Sequence, residues 1–176
     1  MIIDSNDSIY LRKITVEDTE QVLSWRNSKL VKQYFLIQDE IKKEDHLKWL
    51  KTKVETGKVE QFIIVEKSSE RPIGSVYLQD IDRLHKKAEY GIFIGESNLQ
   101  GKGYGTLAAD MMLTYAFDTL GLHRVYLRVL ETNQRAIRSY SKAGFIKEAR
   151  LVDDVYINGE YHNIVIMGVI NREEKL

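Results

Sequence analysis

The spacing of apolar residues changes repeatedly along this 176-residue chain, and the order of the changes restricts the fold more than any other feature. Helical spacing begins at Thr15 and returns at about 42–56, 103–120 and 133–143. Strand-type runs occupy 8–14, 62–65, 73–78, 89–94, 125–129, 151–157 and 161–170. The predicted order is β-α-α-β-β-β-α-β-α-β-β. Because hairpins and helical crossovers are mixed in this order, we expect a mixed sheet flanked by helices.

Two dipeptides predict turns between these elements. Asn158-Gly159 separates two alternating runs and is typical of the type I′ turn of a β-hairpin. Arg71-Pro72 is predicted to turn into the strand at 73–78. This proline is the only one in the chain, and neither a Gly/Ser-rich linker nor an internal repeat marks a boundary. We therefore expect one domain over residues 1–176.

Composition excludes several kinds of chemistry. The chain has no cysteine, which removes disulfides, thiolate metal ligands and a cysteine nucleophile. Its four histidines are scattered without metal-ligand spacing, so we expect no metal site. Lys and Arg number 26, as do Asp and Glu, and a neutral chain lacks the overall field that attracts nucleic acid. We therefore expect no nucleic-acid partner.

No segment of the sequence suits a membrane. The apolar runs are a few residues long, far below the ~20 residues that a membrane-spanning helix needs. Met1, Ile2 and Ile3 lead directly into Asp4, which is too short an apolar stretch for a signal peptide. These observations predict a cytoplasmic protein without a membrane partner.

A glycine-rich segment, Gln100 to Gly105, lies between a predicted strand and a predicted helix. Its glycines allow several amide N–H groups to point the same way, and the start of the helix adds free amides and a positive dipole. The segment predicts a site for a pyrophosphate, to which Lys102 adds a charge, although a turn without a ligand is equally compatible. It lacks Gly-Lys-[Ser/Thr] of a P-loop and the G-x-G-x-x-G spacing of a dinucleotide fold.

Two motifs carry a resemblance to a known superfamily. Residues 100–105 contain Q-x-x-G-x-G, which resembles the acyl-CoA pyrophosphate loop of the GNAT acetyltransferases. Residues 133–145 contain N-x-x-A-x-x-x-Y-x-x-x-G-F, which is similar to a second GNAT pattern. The order of elements also matches. The resemblance implies an α/β (α+β) fold with a mixed, largely antiparallel central sheet of about seven strands and about four helices.

The resemblance implies acetyl-CoA as the acetyl donor, with no metal. It places backbone groups of Phe93, Ile94 and Gly95 beside the pantetheine arm. Asn133 is a further candidate for contact with the pantetheine, although asparagine there is also a good helix N-cap. The residues predicted to hold the pyrophosphate are Gln100, Gly101, Lys102, Gly103, Tyr104, Gly105 and Thr106.

Acetyl transfer needs a neutral amine and a proton for the departing thiolate. Without cysteine, we expect the amine to attack acetyl-CoA directly in a ternary complex. The resemblance makes Tyr140 the candidate acid, since it places this residue near the sulfur. Glu89 is the candidate base, acting through water, with Glu131 and Asp154 as weaker substitutes. A packed aromatic at 140 and a solvated glutamate at 89 are the structural alternatives.

The first 60 residues are expected to bind the acceptor, a small-molecule amine. Trp25, Arg26, Tyr34 and Phe35 are the candidates, although such aromatic residues are also typical of a core. The segment from Trp25 to Leu47 resembles amino-sugar N-acetyltransferases, and the C-terminal half resembles spermidine N-acetyltransferases. The general layout also fits ribosomal-protein N-terminal acetyltransferases.

We expect a UDP-4-amino-sugar acceptor, because the N-terminal half should shape that pocket, with the other two acceptors as alternatives. A homodimer is also expected. The alternative to an enzyme is a CoA-binding module that binds the cofactor without turnover.

Overall fold

The computed structural model describes residues 1–4 and 6–172. Their strands form one eight-stranded sheet in the order β1-β2-β3-β4-β5-β6-β8-β7. Every neighbouring pair is antiparallel except β5 and β6, which run parallel. The strands are β1 Ile2–Ile3, β2 Ile9–Lys13, β3 Glu60–Glu66, β4 Arg71–Asp82, β5 Lys87–Ile94, β6 Arg124–Leu130, β7 Ile146–Ile157 and β8 Glu160–Ile170. The predicted mixed, largely antiparallel sheet is confirmed, with β1 as the additional strand.

Five α-helices flank this sheet among the described residues. They are α1 Thr19–Asn27, α2 Lys29–Lys32, α3 Lys43–Trp49, α4 Tyr104–Thr114 and α5 Gln134–Lys142. The predicted helices at 42–56 and 103–120 each consist of an α-helix that continues as a π-helical turn, at Leu50–Val54 and Tyr115–Thr119. The short helix α2 was not predicted from the sequence. It begins where the Ser28 side chain accepts a hydrogen bond from the Val31 amide at 3.4 Å.

Apolar residues are buried on both faces of the sheet. On β3, Phe62 and Ile64 pack on the side of α4 and α5, while Ile63 and Val65 pack on the side of α1 and α3. Successive side chains of a strand point to opposite faces, so a strand covered by helices on both sides is apolar throughout. This explains the short continuous apolar run at residues 62–65.

The two turn predictions have different outcomes. Asn158 and Gly159 both have positive φ, 52° and 91°, as a type I′ turn requires, so the predicted hairpin between β7 and β8 is confirmed. The turn predicted at Arg71-Pro72 is wrong, because β4 begins at Arg71 and the turn precedes it. Pro72 pairs with Val65 beside a register irregularity, a place in a sheet where proline is tolerated.

The parallel strands β5 and β6 diverge, and this divergence creates the opening for a site. Only Lys87, Ala88 and Glu89 of β5 pair with β6, although β5 continues to Ile94. In an antiparallel pair, every second residue of a strand forms its backbone hydrogen bonds with the same neighbour. The Gly95 amide donates to the Ile73 carbonyl of β4 at 2.9 Å, which shows which residues of β5 bond to β4. The backbone groups of Ile92 and Ile94 therefore face the gap rather than β4. Those of Phe93 and Gly95 face β4, so of the three residues expected to place backbone groups beside the pantetheine, only Ile94 is oriented for it.

Candidate active site

A cleft of about 1140 Å³ opens at the gap between β5 and β6. It is bounded by the acceptor side, formed by α1 to α3, and by the glycine loop and α5. The sequence-predicted site residues that line it are Arg26, Tyr34, Phe35, Glu89, Phe93, Ile94, Gln100, Gly101, Gly103, Gly105, Thr106, Asn133 and Tyr140. The structure thus brings together most of the residues that were predicted separately from the two halves of the chain.

Four predicted residues, Trp25, Gly95, Lys102 and Tyr104, do not line the cleft. Trp25 is buried, packs edge-on against Phe93 and donates a hydrogen bond to Glu96 at 3.1 Å. A Cβ at Gly95 would lie 2.2 Å from the Trp25 ring, so this glycine makes room for the indole. The structure places Trp25 in the core, where it supports the cleft wall instead of contacting an acceptor.

The remaining two lie at the outer side of the glycine loop. The Tyr104 hydroxyl donates a hydrogen bond to Glu66 at 2.6 Å, which directs this side chain away from the cleft. Lys102 is exposed. Any contact of Tyr104 with a pyrophosphate would therefore use its backbone amide rather than its side chain.

The glycine loop presents free amides, as its sequence predicts. Gly101 and Gly103 have φ of 81° and 88°, in the left-handed region that favours glycine. Within the described part of the chain, the amides of 101–105 donate no hydrogen bond, whereas the next two, at Thr106 and Leu107, donate to the Gly103 carbonyl. Free amides at the start of a helix suit a phosphate group. The loop therefore fits the pyrophosphate of acetyl-CoA.

Gln100 and Thr106 fix this loop to its neighbours. Gln100 donates to the Ile94 carbonyl at 3.1 Å and accepts from Arg135 at 2.6 Å, which joins β5 to α5. The Thr106 hydroxyl lies 3.1 Å from that of Ser139. Arg135, Arg138 and Lys142 on α5 also line the cleft and supply positive charge for a phosphate.

Asn133 serves as the N-cap of α5. Its side-chain oxygen accepts from the Ala136 amide at 3.2 Å, and the residue also lines the cleft. The capping alternative is thus confirmed, and contact with the pantetheine remains a prediction.

Tyr140 projects from α5 into an aromatic cluster at the cleft. Its ring packs edge-on against Tyr90 and Phe145, with centroids 6.1 Å and 5.9 Å away. The side chain is half-buried and lines the cleft. Burial raises the pKa of Tyr140 well above its usual range, so the hydroxyl stays protonated at neutral pH. A protonated phenol at this position can donate a proton to a leaving group.

Glu89 is the last residue of β5 that pairs with β6, at the point where the strands diverge. Burial raises the pKa of Glu89, whereas the hydrogen bond from Gln79 and the charge of Arg128 lower it, and the net direction is upward. A carboxylate of raised pKa is a better base than an exposed one.

The two weaker candidates for the base are each engaged by an arginine. Glu131 accepts hydrogen bonds from Arg150 and does not line the cleft, and Asp154 forms an ion pair with Arg128 at 2.7 Å.

Arg26 and Phe35 meet on the acceptor side. The Arg26 guanidinium carbon lies 3.4 Å from the centre of the Phe35 ring. Burial lowers the pKa of Arg26, and no carboxylate of the described residues forms an ion pair with it. Tyr34 lies near the opposite wall, because the Arg135 guanidinium approaches its ring to 5.6 Å.

His46 and Tyr77 are among the cleft residues that were not predicted from the sequence as site residues. His46 is buried, its Nε2 has no hydrogen-bond partner among the described residues, and burial lowers its pKa. Tyr77 lines the cleft from β4, on the face that carries Glu89. His46 lies in the segment that resembles amino-sugar N-acetyltransferases, whereas Tyr77 belongs to no motif, and only the pairing of β4 with β5 brings it to the gap.

Neither a metal site nor a membrane span is found within residues 1–4 and 6–172. No group of three or more His, Asp or Glu side chains could hold a metal ion. No helix there combines the length and the apolar character needed to cross a bilayer.

Comparison with known proteins agrees with this site. A family model described as "Acetyltransferase (GNAT) domain" matches residues 8–146. Spermidine N(1)-acetyltransferase of Vibrio cholerae is 30% identical over 165 residues, which cover 94% of each chain. The Escherichia coli K12 protein of the same description is 32% identical over 169 residues, which cover 96% of this chain and 89% of that one.

A solved structure extends the agreement to the fold. The V. cholerae spermidine N-acetyltransferase, in complex with CoA and spermine, superimposes with a TM-score of 0.87 at 26% identity, covering 94% of this chain and 96% of that one. The match spans both the acceptor side and the glycine loop. The chain belongs to the GNAT acetyltransferase family, and its activity is the acetyl-CoA-dependent acetylation of an amine.

Proposed function

We propose that this enzyme acetylates a primary amine of a small polyamine. The observation that carries the proposal is similarity, over nearly the whole chain, to two spermidine N(1)-acetyltransferases. Three carboxylates of the cleft, Asp45, Asp80 and Glu89, can attract a cationic acceptor, while the cleft is also lined by five cationic residues: Arg26, Arg128, Arg135, Arg138 and Lys142. The V. cholerae structure described with CoA and spermine supports the same acceptor class.

The mechanism that we propose is direct attack in a ternary complex. The free amides of 101–105 hold the pyrophosphate, and backbone groups of Ile92 and Ile94 lie along the pantetheine. Glu89 accepts a proton from the acceptor ammonium through a water molecule. The amine nitrogen then forms a bond to the thioester carbon, and the carbon–sulfur bond breaks. Tyr140 donates its proton to the departing thiolate, and the second proton that the nitrogen loses passes through water to the Tyr140 oxygen, which gives the neutral amide and restores the phenol.

A second candidate acceptor is an amino-sugar nucleotide, which is the acceptor expected from the sequence. None of the relatives named above is described as acting on one, and the comparisons favour the polyamine. One observation favours the sugar nucleotide: Arg26 is a half-buried cation without an ion-pair partner among the described residues. A buried guanidinium is stabilised by an anion such as a diphosphate and repels a polycation.

A thiol-release assay with one acetyl-CoA concentration and several acceptors tests the choice. We expect spermidine to give a higher kcat/KM than a UDP-4-amino-sugar or a short peptide. Turnover confined to the sugar nucleotide would replace the polyamine proposal, and turnover confined to the peptide would favour a ribosomal-protein acceptor. Release of thiol that needs no amine would contradict a ternary-complex transfer.

We also propose that the chain self-associates, as the predicted homodimer requires. One structure of the V. cholerae relative, with a TM-score of 0.81, is described as dodecameric. The edge strand β7 exposes Ile146, Val152 and Tyr156, and such apolar groups suit a second copy of the chain. Light scattering on the purified protein should give a mass of at least twice 20.5 kDa, and a monomer would contradict the proposal.

The cytoplasmic location expected from the sequence stays a prediction.

A further inference from the structure

Tyr77 crosses from its own strand onto the neighbouring one at Gly91. The two residues are directly opposite each other in the pairing of β4 and β5. A Cβ placed on Gly91 would lie 2.2 Å from Tyr77 Cζ and 2.4 Å from its hydroxyl oxygen. No side chain can occupy that space while the ring is there. The absence of a side chain at 91 therefore lets the phenol lie over β5, at the strand that borders the gap.

The groups around Tyr77 are those of the reaction site. Arg26 and Glu89 both act electrostatically on its phenol, and Tyr77 in turn acts on that of Tyr140. Burial is the largest cause that raises the pKa of Tyr77 to about 12; the charge of Arg26 lowers this pKa, and the charge of Glu89 raises it. The hydroxyl is therefore neutral at physiological pH, and it can both donate and accept a hydrogen bond.

The Tyr77 hydroxyl has no hydrogen-bond partner within residues 1–4 and 6–172. No hydrogen bond joins it to another described residue, in contrast to Tyr10, Tyr104 and Tyr115, whose hydroxyls each bind a glutamate. Phenylalanine would fill the same volume over Gly91. Packing alone therefore does not account for a hydroxyl at this place, which lines the cleft beside the candidate base.

We propose that Tyr77 is a substrate-contacting residue whose hydroxyl oxygen accepts a hydrogen bond from an N–H group of the acceptor's reacting amine. The contact holds the amine next to Glu89, so that the nitrogen that loses its proton is already directed at the thioester carbon. Gly91 acts as a positioning residue, because its missing side chain admits the ring. The inference rests on the proposed acetylation of a primary amine and does not depend on whether that amine belongs to a polyamine or a sugar.

The test compares Tyr77→Phe with Tyr10→Phe, using the amine that gives the highest turnover. Tyr10 lies on β2, and its hydroxyl donates to Glu70 at 2.8 Å outside the cleft. We expect Tyr77→Phe to lower kcat/KM for the acceptor by about 10- to 100-fold, the effect of losing one hydrogen bond to a polar or charged partner. The KM for acetyl-CoA and the melting temperature should stay at the wild-type values, and Tyr10→Phe should behave as wild type.

Gly91→Ala provides the second arm, because its methyl group would displace the ring. If Gly91 acts through Tyr77, the Tyr77→Phe/Gly91→Ala double variant should lose no more acceptor kcat/KM than Gly91→Ala does alone. Acceptor kcat/KM within twofold of wild type for Tyr77→Phe would overturn the proposal, as would a rise confined to the KM for acetyl-CoA. If spermidine is not turned over but another amine shows the Tyr77 effect, only the acceptor assignment fails.

Discussion

Glu89 and Tyr140 lie on different elements, yet burial raises the pKa of both. For the carboxylic acid the shift strengthens the conjugate base. For the phenol it keeps the proton in place until a thiolate forms nearby. The same physical cause therefore favours opposite proton-transfer roles in the two residues, because one must be charged before the reaction and the other neutral. Each assignment can be tested by a substitution that preserves shape.

Tyr140→Phe should lower kcat by ~10²–10⁴-fold, the usual contribution of a general acid. The ring contacts with Tyr90 and Phe145 do not involve the hydroxyl, so the melting temperature should change little. Thiol release at saturating concentrations of both substrates measures the effect. A variant that turns over at the wild-type rate would remove Tyr140 from the proton transfer.

Glu89→Gln should change the pH profile of kcat/KM. Glu89 acts as a base only when deprotonated, and its pKa is raised, so activity should fall as the pH decreases through a value above that of an exposed glutamate. The glutamine variant should lose this acidic limb together with ~10²–10⁴-fold of its activity near neutral pH. An unchanged limb in the variant would assign the titration to another group, with the buried His46 the first to examine.

The glycine loop is tested by comparing two glycines with the same backbone constraint. Gly103 and Gly57 have φ of 88° and 68°, and an added Cβ at either would meet nothing within 4 Å. Alanine at either position is strained by about 1 kcal/mol or more, but only Gly103 lies in the cleft. Gly103→Ala should raise the KM for acetyl-CoA several-fold, while Gly57→Ala should leave it unchanged. Equal KM values in both variants would contradict the pyrophosphate assignment.

The sequence predicts elements best where local pattern and local chemistry agree. The Asn158-Gly159 hairpin and the glycine loop depend on backbone conformations that few other residues adopt, so they can be identified without the rest of the chain. The strand β1 has two residues, too few to show a period. Pro72 misled the prediction, because a bulge in the β3–β4 pair accommodates it within a strand.

The candidate site was predictable to the extent that motifs mark it. The loop and Tyr140 were identified by motifs that resemble those of the GNAT acetyltransferases, whereas Tyr77 enters the cleft through long-range strand pairing that no short pattern encodes. Trp25 shows the reverse case. From the sequence, an aromatic residue beside Arg26 could contact a ligand or belong to the core. The structure shows that Trp25 belongs to the core, because its ring occupies the space that a side chain at Gly95 would fill.

At the scale of the whole molecule, helices cover both faces of one sheet and contribute to the two larger of the three apolar clusters among the described residues. Met112 of α4 is fully buried in the larger core, whereas Leu84 is 85% exposed in the turn before β5. Met112→Ala should lower the free energy of unfolding by about 2–5 kcal/mol through lost burial and a residual cavity. Leu84→Ala should change it by less than about 0.5 kcal/mol. Urea unfolding of both variants measures the difference, and similar values would contradict the described core.

Only three residue pairs join the two parallel strands, so the N-terminal and C-terminal halves of the sheet share a short seam. An extended donor molecule lying in the gap would bond to backbone groups of β5 that have no partner on β6, such as the amides of Ile92 and Ile94. Loading the enzyme with coenzyme A should therefore bind the halves into a stiffer unit. The backbone amides of Ile92 and Ile94 should exchange with deuterium more slowly, and the melting temperature should rise with ligand concentration. Exchange rates that do not change on loading would mean that the seam stays open during turnover.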